Sequence, residues 1–245
     1  MKFDFKDKNQ IRKYIWDKLV ELGLAKFPTP PHGRIPNFIG VEDSAIKIIN
    51  LSIFRNAKVI KVSPDSPQRL IREAALRHNK ILIMPTPRIR EGFLLLNPRR
   101  LSCSYSAAST IRGAFKYGSK VHPEELPELD LIVTGSVAVT ESGRRIGKGG
   151  GYSELEYGIL REYNKVSENT PIATNVHDIQ IVNWLPKDPY DITVDYIATP
   201  TRLIKVVNRE KRPPGILWEY LKTEKINEIP ILMEMYSRIK QNAKF

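Results

Sequence analysis

The sequence predicts an α/β fold built on a mostly parallel sheet, with a helical extension at the carboxyl terminus. Residues 58–62 are a β-branched run, residues 66–78 place Leu70, Ala74 and Leu76 at helical spacing, and residues 81–84 are a second apolar run stopped by Pro85. A strand, a helix and a strand in that order imply a right-handed parallel crossover. Further on, two apolar β-rich runs at 129–134 and 136–140 lead into a glycine cluster that opens another helix. This is the strand-end position at which open α/β sheets place ligands. A length of 245 residues with 41% hydrophobic content is enough for one sizeable core.

The other elements follow in order. Residues 4–22 carry Ile11, Tyr14, Ile15, Leu19 and Leu22 on one helical stripe, and Gly23 ends it. Its opposite face bears Lys8, Arg12 and Lys13. The proline-rich stretch 27–37 is a connector, because proline lacks the amide that regular structure needs. Residues 44–56 read as a helix. The stretches 93–96 and 107–117 resist assignment. Residues 172–176, 179–182, 193–198 and 203–207 are strand candidates. A basic, proline-containing break at 209–214 then separates a main domain, 1–207, from an extension, 208–245, of one or two short helices packed outside it.

The most informative stretch is residues 145–156, Arg-Ile-Gly-Lys-Gly-Gly-Gly-Tyr-Ser-Glu-Leu-Glu. Gly147, Gly149, Gly150 and Gly151 have no Cβ, so the backbone there can take positive φ and turn successive amides towards an anion. Arg144, Arg145 and Lys148 add full positive charges. The helix that follows presents its N-terminus to the same place, and amides plus helix dipole make a phosphate site. The motif is not a Walker loop: Gly143 to Lys148 is one residue short, and Gly149 stands where a Ser or Thr would bind magnesium. Nor is it the dinucleotide fingerprint, whose third glycine would fall on Tyr152. The competing reading is a basic surface turn, which would need fewer glycines and no cations.

Composition narrows the partners. There are 39 basic against 27 acidic side chains, a net charge of +12 that should attract nucleotides, polyanionic cofactors or nucleic acid. Cys103 is the single cysteine. It excludes an intramolecular disulfide and offers no zinc spacing, which suits a reducing compartment. Residues His32, His78 and His122 are scattered and suggest no metal cluster. No leader-like or membrane-length apolar run is present, so the expected setting is soluble and cytoplasmic.

With these motifs in place, the chain resembles the 5-formyltetrahydrofolate cyclo-ligase, or methenyltetrahydrofolate synthetase, family over roughly residues 8–205. The matching features are Lys8 and Arg12 four apart on the first helix, Asp65 before a helix, and the strand at 129–133. They continue with the loop from Arg145 to Glu154 and the pair Asp191 and Asp195. Gly-Ser-Val-Ala-Val-Thr before the loop and Tyr-Ser-Glu-Leu-Glu-Tyr after it look closer to the divergent methenyltetrahydrofolate synthetase domain-containing branch. Differences from the family pattern are Ser153 for a second aromatic, no Phe-Asp pair around Val139 and Thr140, and the segment after 207.

The resemblance implies a three-layer α/β/α fold similar to sugar-phosphate isomerases and CoA transferases. It also implies ATP-dependent cyclisation of 5-formyltetrahydrofolate, or a related reduced pterin, to the 5,10-methenyl form, with release of ADP and phosphate. The formyl oxygen would attack the γ-phosphate and the imino phosphate would leave as N10 closes the ring, so the protein supplies placement and charge rather than a nucleophile. Lys8, Arg12, Arg145, Gly147, Lys148, Gly149, Gly150, Gly151 and Tyr152 would bind ATP, with Arg145 and Lys148 on the transferring group. Asp65 and Tyr152 would contact the pterin, while Glu154 and Asp191 would hold Mg2+. Each has a structural reading beside this one: a solvated face for Lys8 and Arg12, a first core contact for Tyr152, a helix start for Asp65, and a capped structural acid for Asp195.

A second function class explains the charge equally well: a non-catalytic nucleotide- or RNA-binding protein, with the loop and residues 205–212 as its basic surface. Only an enzyme gives Glu154 and Asp191 a reason to lie near cations. An isomerase or acyl-transferase on the same fold would need a base near the loop, and His177 is the late histidine placed for it. The expected assembly is a monomer or homodimer.

Overall fold

The side chain of Asp7 accepts hydrogen bonds from the amides of Asn9 and Gln10, opening helix α1 (Lys8–Glu21). The computed structural model describes residues 7–242, so the first residues of the expected 4–22 helix lie outside the described ones. Ile11, Ile15 and Leu19 are fully buried on one stripe of α1, while Leu22 falls at the C-cap and is exposed. Gly23, at φ +65°, turns the chain out of the helix. The proline-rich connector runs between two short paired strands, β1 (Ala25–Lys26) and β2 (Asn37–Phe38).

The expected helix over 44–56 is two helices, α2 (Val41–Ile49) and α3 (Ser52–Asn56). The break falls at Asn50 and Leu51, where Leu51 is extended at ψ 142°. Strand β3 (Val59–Val62), helix α4 (Arg69–Arg77) and strand β4 (Ile81–Pro85) form the expected crossover. Pro85 is the last residue of β4 rather than the residue after it, paired with Phe93. The ambiguous stretches resolve as β5 (Phe93–Leu96), α5 (Tyr105–Ala108), α6 (Ile111–Tyr117) and β6 (Ser119–Val121).

Then come β7 (Leu131–Thr134), a small hairpin of β8 (Ala138–Val139) and β9 (Arg145–Ile146), α7 (Tyr152–Glu162) and β10 (Ile172–Asn175). The expected strand at 179–182 does not form. His177 Nδ1 accepts the Ile179 amide and Gln180 Oε1 accepts the His177 amide, so side-chain capping winds Asp178–Gln180 into a 3₁₀ turn. Strand β11 (Tyr196–Ala198) is shorter than expected, and β12 (Leu203–Lys205) returns beside it. The chain ends in α8 (Thr223–Glu228) and α9 (Pro230–Asn242).

One eight-stranded sheet runs in the order β12-β11-β10-β7-β3-β4-β5-β6. Strands β11, β10, β7, β3 and β4 are parallel, and antiparallel strands close both edges. Alternating residues face opposite layers. Val59, Ile83, Ile132, Ile172 and Ile197 pack with α7 and the carboxyl-terminal helices, whereas Ile60, Leu82, Leu131, Val133 and Ala173 pack with α2 and α4. That is a sheet between two helical layers. α1 packs apart, against Val137, Ala138 and Ile146 of the hairpin, which carries it to the carboxyl ends of the parallel strands.

Candidate functional site

At those strand ends β9 runs into residues 147–151. Gly149 and Gly151 take φ +104° and +69°, backbone positions an L side chain rarely adopts, and Gly151 is the N-cap of α7. A Cβ on Gly149 would lie 3.5 Å from the Arg12 guanidinium carbon, so loop and α1 are already in close approach. The loop lines a cavity of about 520 Å³. Lys8 and Arg12 of α1, Asp65 after β3, Lys148, Glu154 and Asp191 line it as well, together with Tyr152.

Each cation is held by a defined partner. Arg12 Nε donates to the Gly147 carbonyl at 2.7 Å and Nη1 to Asn9 Oδ1 at 2.7 Å. Burial pulls its pKa down, while Glu154 and Asp191 act in the opposite direction. Lys8 donates to Asp191 and, at 2.7 Å, to Asp188. Burial raises the Asp191 pKa, with the bond from Lys8 opposing it. Asp188 also accepts the Tyr190 hydroxyl, and burial together with that bond pushes Tyr190 up to about 12, so it stays a donor. Lys148 reaches across the cavity to Asp65 at 2.9 Å and remains 44% exposed, the most available cation of the loop.

Arg145 departs from the expected picture. Its side chain is 0% exposed and is absent from the cavity wall. It donates to Glu154 at 2.5 Å, to the Gly135 carbonyl at 2.9 Å and to Ser136 Oγ at 3.3 Å. The guanidinium therefore sits beneath the loop, locking the start of α7 to the end of β7. Tyr152 lines the cavity and is tied to the extension: its hydroxyl donates to Glu228 at 3.0 Å, and Lys225 Nζ lies 3.7 Å from its ring centroid. Asp195 takes the structural alternative, accepting the Ile172 amide and the guanidinium groups of Arg209 and Arg212.

The described residues offer no cluster of three metal-ligating side chains. Glu154 and Asp191 nevertheless present two carboxylates to one cavity, as many as Mg2+ takes when water and phosphate oxygens complete its shell.

The model of the 5-formyltetrahydrofolate cyclo-ligase family matches residues 5–200. The chain belongs to that family. It is 40% identical over 243 residues to the methenyltetrahydrofolate synthase domain-containing protein of Bos taurus, covering 97% of this chain and 64% of that relative. The chain thus spans under two thirds of the relative's length. The 5-formyltetrahydrofolate cyclo-ligase of Escherichia coli strain K12 is 32% identical over 78 residues, 32% of this chain and 40% of that one. The fold is also that of the 5,10-methenyltetrahydrofolate synthetase of Aquifex aeolicus, solved by NMR, at a TM-score of 0.52 and 20% identity, covering 87% of this chain and 99% of that one. Among the described residues, no helix of this family member is long and apolar enough to cross a membrane.

Sequence reasoning missed three groups that tie together the elements carrying the cavity, although none of them lines it. Lys61, the one charge in the apolar run 58–62 with a buried side chain, pairs with buried Glu156 of α7, whose pKa burial raises. A lone charge inside a buried strand always needs a partner, so Lys61 itself was the signal. Glu210 joins Arg144 at 2.7 Å to Lys187 at 2.9 Å, tying the hairpin to the segment that carries Asp188 and Asp191. The third group, Lys225 and Glu228 on Tyr152, lies in the extension and carries no motif that announces it.

Proposed function

We propose that this chain binds MgATP in the glycine-loop cavity and uses it to cyclise 5-formyltetrahydrofolate, or a related reduced pterin, to the 5,10-methenyl form. The observation that carries this reading is the convergence on one cavity of Gly147–Gly151, three cations and five carboxylates, Glu154 and Asp191 among them, at the carboxyl ends of parallel strands in a member of the cyclo-ligase family. Turned amides and the α7 N-terminus would hold the phosphates. Lys148 is the cation free to leave Asp65 for a γ-phosphate, and Arg12 and Lys8 neutralise charge from the α1 side. Glu154 and Asp191 would hold Mg2+, which would offset the charge of the phosphates. Arg145 serves as the positioning residue that aims Glu154. Asp65, released by Lys148, faces the same cavity and is placed to accept a hydrogen bond from the pterin.

Calorimetric titration of MgATP, followed by ultraviolet detection of methenyl product, tests the reading. Replacing Lys148 with Ala is expected to weaken MgATP binding by about 1–3 kcal/mol; an unchanged affinity would remove the loop from the nucleotide site. The net charge of +12 favours a second reading, a polyanion binder that takes RNA without catalysis. RNA retention that falls steeply with salt, with no MgATP heat, would establish it in place of the first.

A further inference from the structure

The eight-stranded sheet ends on β12, and that edge is open. In the β11–β12 pair the Val206 amide donates to the Asp195 carbonyl and the Thr199 amide to the Arg202 carbonyl, each at 2.8 Å, on either side of the Ile197–Ile204 partners. Antiparallel partners alternate between bonded and non-bonded, so residues 202, 204 and 206 turn their main-chain groups to β11. Leu203 and Lys205 therefore aim theirs outward, and among the described residues nothing bonds to them. The side chains alternate as well. Ile204 and Val206 pack on the cluster that holds Ile172 and Ile197, whereas Leu203 is 43% exposed and Val207, just beyond the strand, is 75% exposed. Between them Lys205 is exposed and pairs with no carboxylate among the described residues.

The opposite edge is built differently. There β6 exposes Ser119 and Lys120, a hydroxyl and an ammonium that Glu91 engages, the short polar form in which edges resist pairing. On β12 apolar side chains stand beside unpaired main chain, the kind of edge to which an extended segment adds as a further strand. We propose that β12 docks an extended segment of a partner protein, with apolar side chains meeting Leu203 and Val207 and a carboxylate between them meeting Lys205. Charge selects this occupant. A second copy would set Lys205 opposite or diagonal to its twin in the registers that keep the strand paired, and each copy carries +12, so self-pairing is opposed. A nucleic acid would meet two outward carbonyls and two apolar side chains, which phosphate oxygens cannot use. No residue of β12 lines the loop cavity, so the docking edge stands whether or not that cavity takes MgATP.

NMR titration of the full chain with a capped peptide, Thr-Val-Thr-Glu-Thr-Val-Thr, reads the edge directly, because alternation puts both Val side chains and the Glu on one face. The peptide should shift the Leu203 and Lys205 amides and slow their hydrogen exchange. A peptide with Lys in place of Glu should bind about fivefold more weakly, the worth of a cross-strand charge pair. Lys205→Glu should reverse that preference, and its melting curve should match the wild type, which excludes unfolding as the cause. N-methylation of alternate peptide amides on one side should weaken binding at least about tenfold, while methylation on the other side should not, since only one side bonds to β12. Shifts confined to residues away from β12, no shift at millimolar peptide, or equal affinity for the Glu and Lys peptides overturns the proposal. So does a dimer by light scattering whose Leu203 and Lys205 amides are already protected without peptide, which would make the occupant a second copy.

Discussion

Arg145 and Lys148 stand three residues apart in one basic loop, and their environments make them opposites. Lys148 is 44% exposed with a single carboxylate partner, whereas Arg145 is 0% exposed and fully engaged. Removing one member of a buried ion pair leaves the other charge stranded, at a cost of about 3–5 kcal/mol, while an exposed pair contributes at most about 1 kcal/mol. Urea melts should therefore show Arg145→Ala strongly destabilised and Lys148→Ala close to wild type, with the ligand effect concentrated in Lys148→Ala. Equal stability of the two variants would contradict the buried placement. Sequence could nominate both residues, because charge and glycine spacing are local. It could not separate them, since burial of Arg145 depends on Gly135 and Ser136 at the end of a strand paired elsewhere in the chain.

At the scale of elements, the loop works because β9 and α7 meet through backbone that only a few residues tolerate. Nothing lies within 4 Å of a Cβ built on Gly151, so a substitution there is opposed by its φ of +69° alone. Asn visits that region at low cost and Val does not. Gly151→Val should lose about 1–3 kcal/mol and Gly151→Asn clearly less, a ranking that thermal melts can check. Glu210 supplies a second element-level contact. Its hydrogen bonds from Lys187 first and Arg144 second hold its pKa below the usual 4.5, so its stabilisation is present above pH 4.5 and is lost as pH falls through the folded value. Its side chain is 41% exposed, so solvent screening limits the contribution to about 0.5 kcal/mol. Glu210→Gln should be slightly less stable than wild type at pH 7 and indistinguishable from it in acid below the folded pKa. The crossover β3-α4-β4 was legible because its periodicity is strong. Residues 179–182 misled, because β-branched residues were read without weighing the capping partners His177 and Gln180. The α2–α3 break was invisible because periodicity continues through Asn50.

For the whole molecule the question is whether residues after 207 are an appendage or part of the body. Ile226, Ile229, Leu232 and Met235 belong to the same apolar cluster as Ile132 and Ile172 of the sheet and Ile159 of α7. Leu232 and Ile229 are 0% exposed, so α9 covers the helical layer behind the glycine loop rather than resting on its surface. Truncating such a leucine removes apolar burial and leaves a cavity, together worth about 2–5 kcal/mol. If that contact stabilises the body as well as the extension, Leu232→Ala must lower the protection of amides in α7 and β10 along with those in α9, within one cooperative transition. Hydrogen exchange followed by mass spectrometry reads the three segments at once. Loss of protection confined to residues 216–242, with α7 and β10 unchanged, would show the extension folding on its own and would remove the mechanical basis for its part in the site.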